Sequence, residues 1–417
     1  MQGLFTSACI KTGIIQPIMH KLTEMKLFVC VIGFVCCFLA LLSEPAYYRV
    51  TRTAWKNGIF RVDKSTFTIV QFADLHFGEH EESDLKSTMV MRDILRMEQD
   101  TDLVVFSGDQ VSGYVKPNPL DSLRMWSASL LAVNASGIPF ATIFGNHDDQ
   151  AFHTGHMIQY HCAQGLLAAV LFFGLLLASR RRFYWSGGLV ALGLPVLIFV
   201  FMPSVTMRNS LLHYELAHFP ALSVSREGPG TVSGLSNYVL QASHSNQTVL
   251  IFLLDTGGGR LEETFTDRQL EWVMSTARNR GNNLTAIAFA HIASEEFRDA
   301  LSDTDRFACI GHNRTEQVIP AARENLPPMD TLSKAGVRAI FSGHDHRDSY
   351  CCIPRDAQVH QPAMCYGRHT GYGGYGDWMR GARVIQLDFS FGEPVIRTWL
   401  RMEDGRKREL VRLYPLG

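Results

Sequence analysis

The chain has 417 residues, 46% of them hydrophobic and 19% charged, with a formal net charge of -1. That length exceeds the usual single domain but fits one large α/β core together with membrane segments. Without overall basicity, nucleic acid is not an expected partner, and any attraction for phosphate has to come from a local site.

Residues 1–26 carry Lys11, Lys21 and Lys26, and an uncharged apolar run follows from Leu27 to Leu42, closed by Glu44-Pro45. The segment 27–43 is short for a bilayer span of about 20 residues and long for a signal h-region of about 7 to 15. It reads as an uncleaved signal anchor, with a cleaved signal peptide and a buried soluble helix as the alternatives. The basic flank puts residues 1–26 in the cytosol and everything after Glu44 on the lumenal or extracellular side of a membrane in the secretory pathway or at the cell surface.

From Phe67 onward one local design repeats: a short apolar, β-branched run ends abruptly in Asp, His, Asn or Gly. Such runs predict buried strands. Phe67–Phe72 precedes Asp74 and His76, Asp102–Phe106 precedes Gly108-Asp109, and Phe140–Phe144 precedes Gly145-Asn146-His147-Asp148. Downstream, Thr248–Leu254 precedes Asp255, Leu284–Ala290 precedes His291, and Val337–Phe341 precedes Gly343-His344-Asp345-His346. Because layered α/β folds bind ligands outside strand ends, these polar groups can converge on one rim. Between the strands, Leu85–Met97 and Thr266–Ala277 are predicted helices, the second with Thr266 as a cap.

One segment breaks the pattern. Residues 163–203 form a hydrophobic insertion in which Leu166–Ala178 and Leu189–Met202 flank Arg180-Arg181-Arg182. A membrane hairpin exposing the arginines to the cytosol suits the positive-inside tendency, but each arm reaches only about 20 Å against a hydrocarbon core of about 30 Å. A re-entrant or interfacial path and a soluble lid remain alternatives. Glycosylation sequons at Asn134, Asn246, Asn283 and Asn313 agree with a secretory location. So do Cys162, Cys309, Cys351, Cys352 and Cys365, which have no zinc-ribbon spacing and read as disulfide candidates with one left over.

Water at neutral pH is a poor nucleophile toward a phosphate ester, and a two-metal site overcomes this by lowering the pKa of a bound water while clamping the phosphoryl oxygens. Asp74 and His76, two apart at a strand end, can hold one metal; Asp109 can bridge both; Asn146 offers a neutral oxygen to the other; His291, His344 and His346 complete the set. Imidazole on both ions favours iron, zinc or manganese over magnesium or calcium. His147, next to ligand Asn146, is the expected general acid, with Asp148 orienting its ring.

These five ordered blocks, Asp74-x-His76, Gly108-Asp109, Gly145-Asn-His-Asp148, the isolated His291 and Gly343-His-Asp-His346, resemble the calcineurin-like metallophosphoesterases. The resemblance implies a four-layer sandwich of two mixed β-sheets flanked by helices, spanning residues 66–397, with a bimetal centre at the strand ends. Gly145–Asp149 and the run Arg368–Gly376 further resemble a purple-acid-phosphatase-related subgroup of plants and fungi. In purple acid phosphatases a tyrosine ligand follows the bridging Asp by three residues; Ser112 stands there in this chain, with Tyr114 two further on, so a colourless centre is expected. The Arg368–Gly376 run reads either as a phosphate contact, with Arg368 or His369 supplying charge, or as a glycine-dense turn. Asp255-Thr-Gly-Gly-Gly259 lacks the P-loop lysine and reads as a turn, and His153, His156 and His161 read as surface residues, with a third metal site as the alternative.

The expected activity is hydrolysis of phosphomonoesters, on a phosphorylated small molecule or a phosphoprotein. Phosphodiesters of lipids or nucleotides are the alternative, given the hydrophobic insertion near Asn146. A non-catalytic membrane interaction module is a third reading, but it predicts lost ligands and all seven are present.

Overall fold

The structure is a computed structural model that describes residues 53–113, 119–149, 207–259, 261–281, 284–311, 317–356 and 358–415. The apolar segments 27–43 and 163–203, the sequons at Asn283 and Asn313, and His153, His156, His161 and Cys162 lie outside the described residues. Among the described residues, no helix is long and apolar enough to cross a membrane.

The first half of the chain supplies β1 (Thr53–Lys56), β2 (Ile59–Val62), β3 (Thr66–Phe72), α1 (Glu81–Met97), β4 (Thr101–Ser107), α2 (Pro119–Ser136), β5 (Phe140–Ile143) and α3 (Met207–His218). Next come β6 (Tyr238–His244), β7 (Gln247–Leu254), β8 (Thr264–Phe265), α4 (Asp267–Arg278), β9 (Thr285–Ala290), α5 (Glu295–Ser302), β10 (Phe307–Ile310) and β11 (Ala322–Arg323). The last elements are α6 (Pro328–Lys334), β12 (Val337–Ser342), β13 (Cys351–Pro354), β14 (Ala363–Tyr366), β15 (Gly381–Asp388), β16 (Val395–Met402) and β17 (Lys407–Tyr414).

Two mixed sheets result. One runs β17-β16-β15-β3-β4-β5 and the other β1-β2-β6-β7-β9-β12-β14-β13-β10, with β3, β4 and β5 parallel in the first and β7, β9, β12 and β14 parallel in the second. The period-2 alternation of each strand sorts its side chains into layers. Phe67, Ile69, Leu103 and Val105 of the first sheet meet Leu240, Ile251, Ile287 and Phe341 of the second in one buried core. Val70, Phe72, Val104 and Phe106 point the other way, packing with Met91 and Ile94 of α1, Trp126 and Leu130 of α2, and Leu211 of α3. The outer face of the second sheet is covered by Leu270 and Val273 of α4, Phe297 of α5 and Leu332 of α6. Helices therefore flank both sheets, and parallel strands of both sheets end on the rim that carries the polar motifs.

Helix α1 begins four residues before the predicted start because Glu81, Glu82 and Asp84 place negative charge on its first turn, where the helix dipole favours it. In α4, Thr266 caps the start by accepting from Gln269 N at 3.2 Å. The sheets extend past the expected 66–397: β1 and β2 join the second sheet, and β17 pairs with β16 out to Tyr414. Disulfides join Cys309 to Cys352 and Cys351 to Cys365, each pair directly opposite across antiparallel strands, so no described cysteine of the four is left over. Asn134, near the end of α2, and Asn246, in the turn between β6 and β7, are both exposed.

Candidate metal centre

Strand ends from both sheets deliver the motif residues to one place. Asp74 and His76 follow β3, Asp109 follows β4 and Asn146 follows β5, while His291 follows β9 and His344 and His346 follow β12. Two clusters of ligand atoms form, Asp74 with His76 and His346, and Asp109 with His291 and His344, each set lying within 4.8 Å of one another. Asp109 stands between them, its Oδ2 3.1 Å from His291 Nε2 and 3.7 Å from His76 Nε2. Asn146 Oδ1 lies 3.1 Å from both His291 Nε2 and His344 Nδ1. The Nε2 atoms of His76 and His346 approach each other to 3.0 Å.

The backbone is bent to achieve this. Asp74, His76, Asp109 and His344 all have positive φ, at 58°, 49°, 53° and 74°, a conformation non-glycine residues adopt at a cost and which clusters at functional sites. The motif glycines have a steric reason: a Cβ on Gly108 would meet His291 Nδ1 at 2.5 Å, and one on Gly145 would run into Asp109.

Burial dominates the electrostatics. It raises the Asp74 carboxyl to about 7 and lowers His76 to about 4 and His344 to about 3. Burial also opposes charge on Asp109, yet His291 and His147 outweigh it and hold that carboxyl well below the usual range. Conversely, burial opposes charge on His291, but Asp109 prevails and raises it to about 10. A pocket that draws positive charge onto a fully buried imidazole, surrounded by neutral imidazoles and carboxylates, fits a divalent or trivalent cation. His291 Nδ1 lies 2.8 Å from Ser107 O, and donation to that carbonyl holds the ring with Nε2 toward the cluster, the nitrogen that would give up its proton to a metal ion.

His147 lines an open cavity of about 670 Å³ together with His76, Asp109, His344 and His346. Its ring is 5.0 Å from that of His76, and its backbone N–H donates to Asp109 Oδ1 at 2.8 Å. Asp148 does not orient that ring. Its carboxylate turns inward and accepts from the N–H groups of Asp109, Val111 and Gly145 at 3.1, 3.0 and 2.7 Å, because the tight turn sends consecutive side chains in different directions. It braces two ligand-bearing loops. The expectation of a phosphate contact at Arg368 or His369 also needs correction. Both are buried, Arg368 donates to Met379 O at 3.0 and 2.6 Å, and it is Gly374 and Tyr375 of their run that line the cavity. Ser112 Oγ donates to Glu79 at 2.6 Å, and Tyr114 lies outside the described residues.

Sequence reading missed Glu79, His80, Ile319 and Tyr375 on the cavity wall. It also missed Arg208, which lies 1% exposed at the start of α3. Its guanidinium pairs with Asp255 at 2.6 Å and Asp149 at 3.2 Å and donates to Gly145 O at 2.8 Å, Gly257 O at 3.0 Å and Gly258 O at 3.1 Å. One cation thus ties the Asp255–Gly259 loop to the turn that carries Asn146.

A family profile for calcineurin-like phosphoesterases matches residues 67–348. The chain belongs to that family. It is 25% identical to a probable inactive purple acid phosphatase of Arabidopsis thaliana, over 92% of both chains. It is also 25% identical to a phosphatase of Saccharomyces cerevisiae, over 88% of this chain and 60% of that one. Among solved structures, a purple acid phosphatase from yellow lupin seeds overlaps 86% of this chain and 55% of its own, at 14% identity and a TM-score of 0.45. As a calcineurin-like phosphoesterase the chain is a phosphoric ester hydrolase with two candidate metal-binding clusters.

Replacing Arg208 by Met leaves Asp149 and Asp255 buried without their cation, and a loss of about 3–5 kcal/mol in unfolding free energy is expected. A urea midpoint equal to that of the wild type would show the clamp to be dispensable.

Proposed function

We propose that the protein hydrolyses phosphomonoesters with water activated between two metal ions, and the convergence of the two ligand clusters on Asp109 is the observation that carries this reading. Asp74, His76 and His346 would hold one ion and Asn146, His291 and His344 the other, with Asp109 available to both. The mixture of imidazole and carboxylate favours iron, zinc or manganese. When bound, such a pair supplies a nucleophile from water at neutral pH and neutralises the phosphoryl oxygens. From the cavity wall, His147 protonates the leaving oxygen, while Asp148 and Arg208 keep the two ligand loops in register. With Ser112 at that position and engaged by Glu79, no tyrosinate would form there, and a loaded centre would be colourless. The cavity is open enough to admit a small phosphorylated molecule or a phosphorylated side chain. Although the Arabidopsis relative is named inactive, this chain keeps all seven ligand side chains, which supports turnover.

Asp109→Asn should abolish turnover and release metal, because a neutral bridge binds two cations less well. Wild-type activity with both ions retained would sink the ligand roles. Matched monoester and diester substrates in the same assay separate the proposed activity from the phosphodiesterase alternative.

His147→Ala should keep metal but lower kcat by roughly 100-fold or more, since a positioned acid contributes about 10² to 10⁴. The loss should shrink with good leaving groups. Equal loss across all leaving groups argues against proton donation.

The catalytic domain is further proposed to lie on the lumenal or extracellular side of a membrane, anchored through residues 27–43 and contacting the bilayer through 163–203. Two disulfides and the exposed Asn134 and Asn246 support that placement. Glycosidase treatment of the protein from a eukaryotic host should raise its gel mobility. Unchanged mobility in the wild type, matching an Asn246→Gln/Asn283→Gln variant, counts against it.

A further inference from the structure

The glycine-rich run from Arg368 to Gly376 packs against the segment that carries Asp74 and His76. A Cβ on Gly374 would meet Cε1 of His346 at 2.6 Å and Cδ2 of His76 at 3.0 Å, and one on Gly373 would collide with the His76 carbonyl. Thr370 N donates to Ala73 O at 3.0 Å, and His369 pairs with Ala73 in a parallel bridge, one residue before Asp74. The glycines therefore bring His369 against the metal centre.

His369 is 1% exposed, and neither ring nitrogen has a hydrogen-bond partner. A neutral imidazole carries one donor and one acceptor, and burying both unmet is costly. In its neutral form such a ring offers one nitrogen lone pair. The ring centroid lies 4.0 Å from that of His346 and 6.5 Å from that of His76, while His76 and His346 are 4.8 Å apart. Three imidazoles thus stand together on the His76 and His346 side of the centre. If packing were the only demand there, an apolar side chain would meet it without leaving two polar atoms unmet.

We infer that His369 is a further metal ligand, giving the ion held by Asp74, His76 and His346 a third imidazole. This rests on the two-metal reading above. It supplies from a distant loop a donor that Ser112 does not, since that hydroxyl is engaged by Glu79. A nitrogen-rich set of this kind selects a divalent transition ion such as zinc, cobalt or iron over magnesium.

The test strips the full chain with a chelator and titrates wild type, His369→Leu and His369→Gln with cobalt(II), following binding and visible absorption. The wild type should take up two equivalents. In His369→Leu one ion should bind as before, and the other should weaken by at least the roughly 10- to 100-fold that loss of an outer contact costs, with a changed absorption band. In excess chelator the same variant should melt no lower than the wild type, because leucine leaves no unmet polar atoms. Unchanged affinities and an unchanged cobalt spectrum overturn the assignment while leaving the two-metal reading intact. A wild type that binds fewer than two ions overturns both. Should His369→Leu fail to fold, crystals of the metal-loaded wild type decide. A His369 nitrogen about 2.0–2.1 Å from the ion supports the inference, and a ring held off by water or by another side chain overturns it.

Discussion

Asp74, Asp109 and Asp148 are buried together at one rim, and carboxylates so placed destabilise the fold unless positive charge lies among them. Among the described residues that charge comes first from His291, which Asp109 draws into its protonated form. A metal ion at the same point would serve the purpose better, because it would satisfy several oxygens and nitrogens at once. The strained backbone at Asp74, His76, Asp109 and His344 follows from the same demand. Side chains from separate strands can meet within ligand distance only if the chain leaves each strand abruptly.

The two sheets make that meeting possible. Parallel strands all end on one side, so the residues after β3, β4 and β5 confront those after β9 and β12 across the top of a shared apolar core. Support then comes from groups that hold the ligand loops rather than the ligands. Asp148 gathers three backbone N–H groups, Arg208 gathers three carbonyls and two carboxylates, and the glycines let loops approach to contact distance. Metal sites depend on such outer contacts nearly as much as on the ligands.

The strands that carry the ligands were legible because each is a largely apolar run, buried on both faces, that ends near a polar motif. Strands such as β16, with Arg397 and Arg401 among apolar residues, and the two-residue β8 give no comparable signal. Asp148 was misjudged because adjacency in sequence is not adjacency of side chains at a tight turn. The run that carries Arg368 and His369 admits both a phosphate contact and a glycine-dense turn on sequence alone, and the structure favours the second, with the glycines packing against His76 and His346. The cysteine pairing depends on the register of β10, β13 and β14, and register is a long-range property that no local pattern records. Arg208 was hidden for a simpler reason: its partner Asp149 precedes the hydrophobic insertion and Arg208 follows it.

That last arrangement has a consequence for how the protein can vary. Asp149 and Arg208, which flank residues 150–206 in sequence, are joined by a buried ion pair, so these two points of the core are held together directly. The entropy of closing a flexible loop grows only logarithmically with its length. A change in the number of residues between Asp149 and Arg208 therefore adds little closure cost to a core in which the two are already paired.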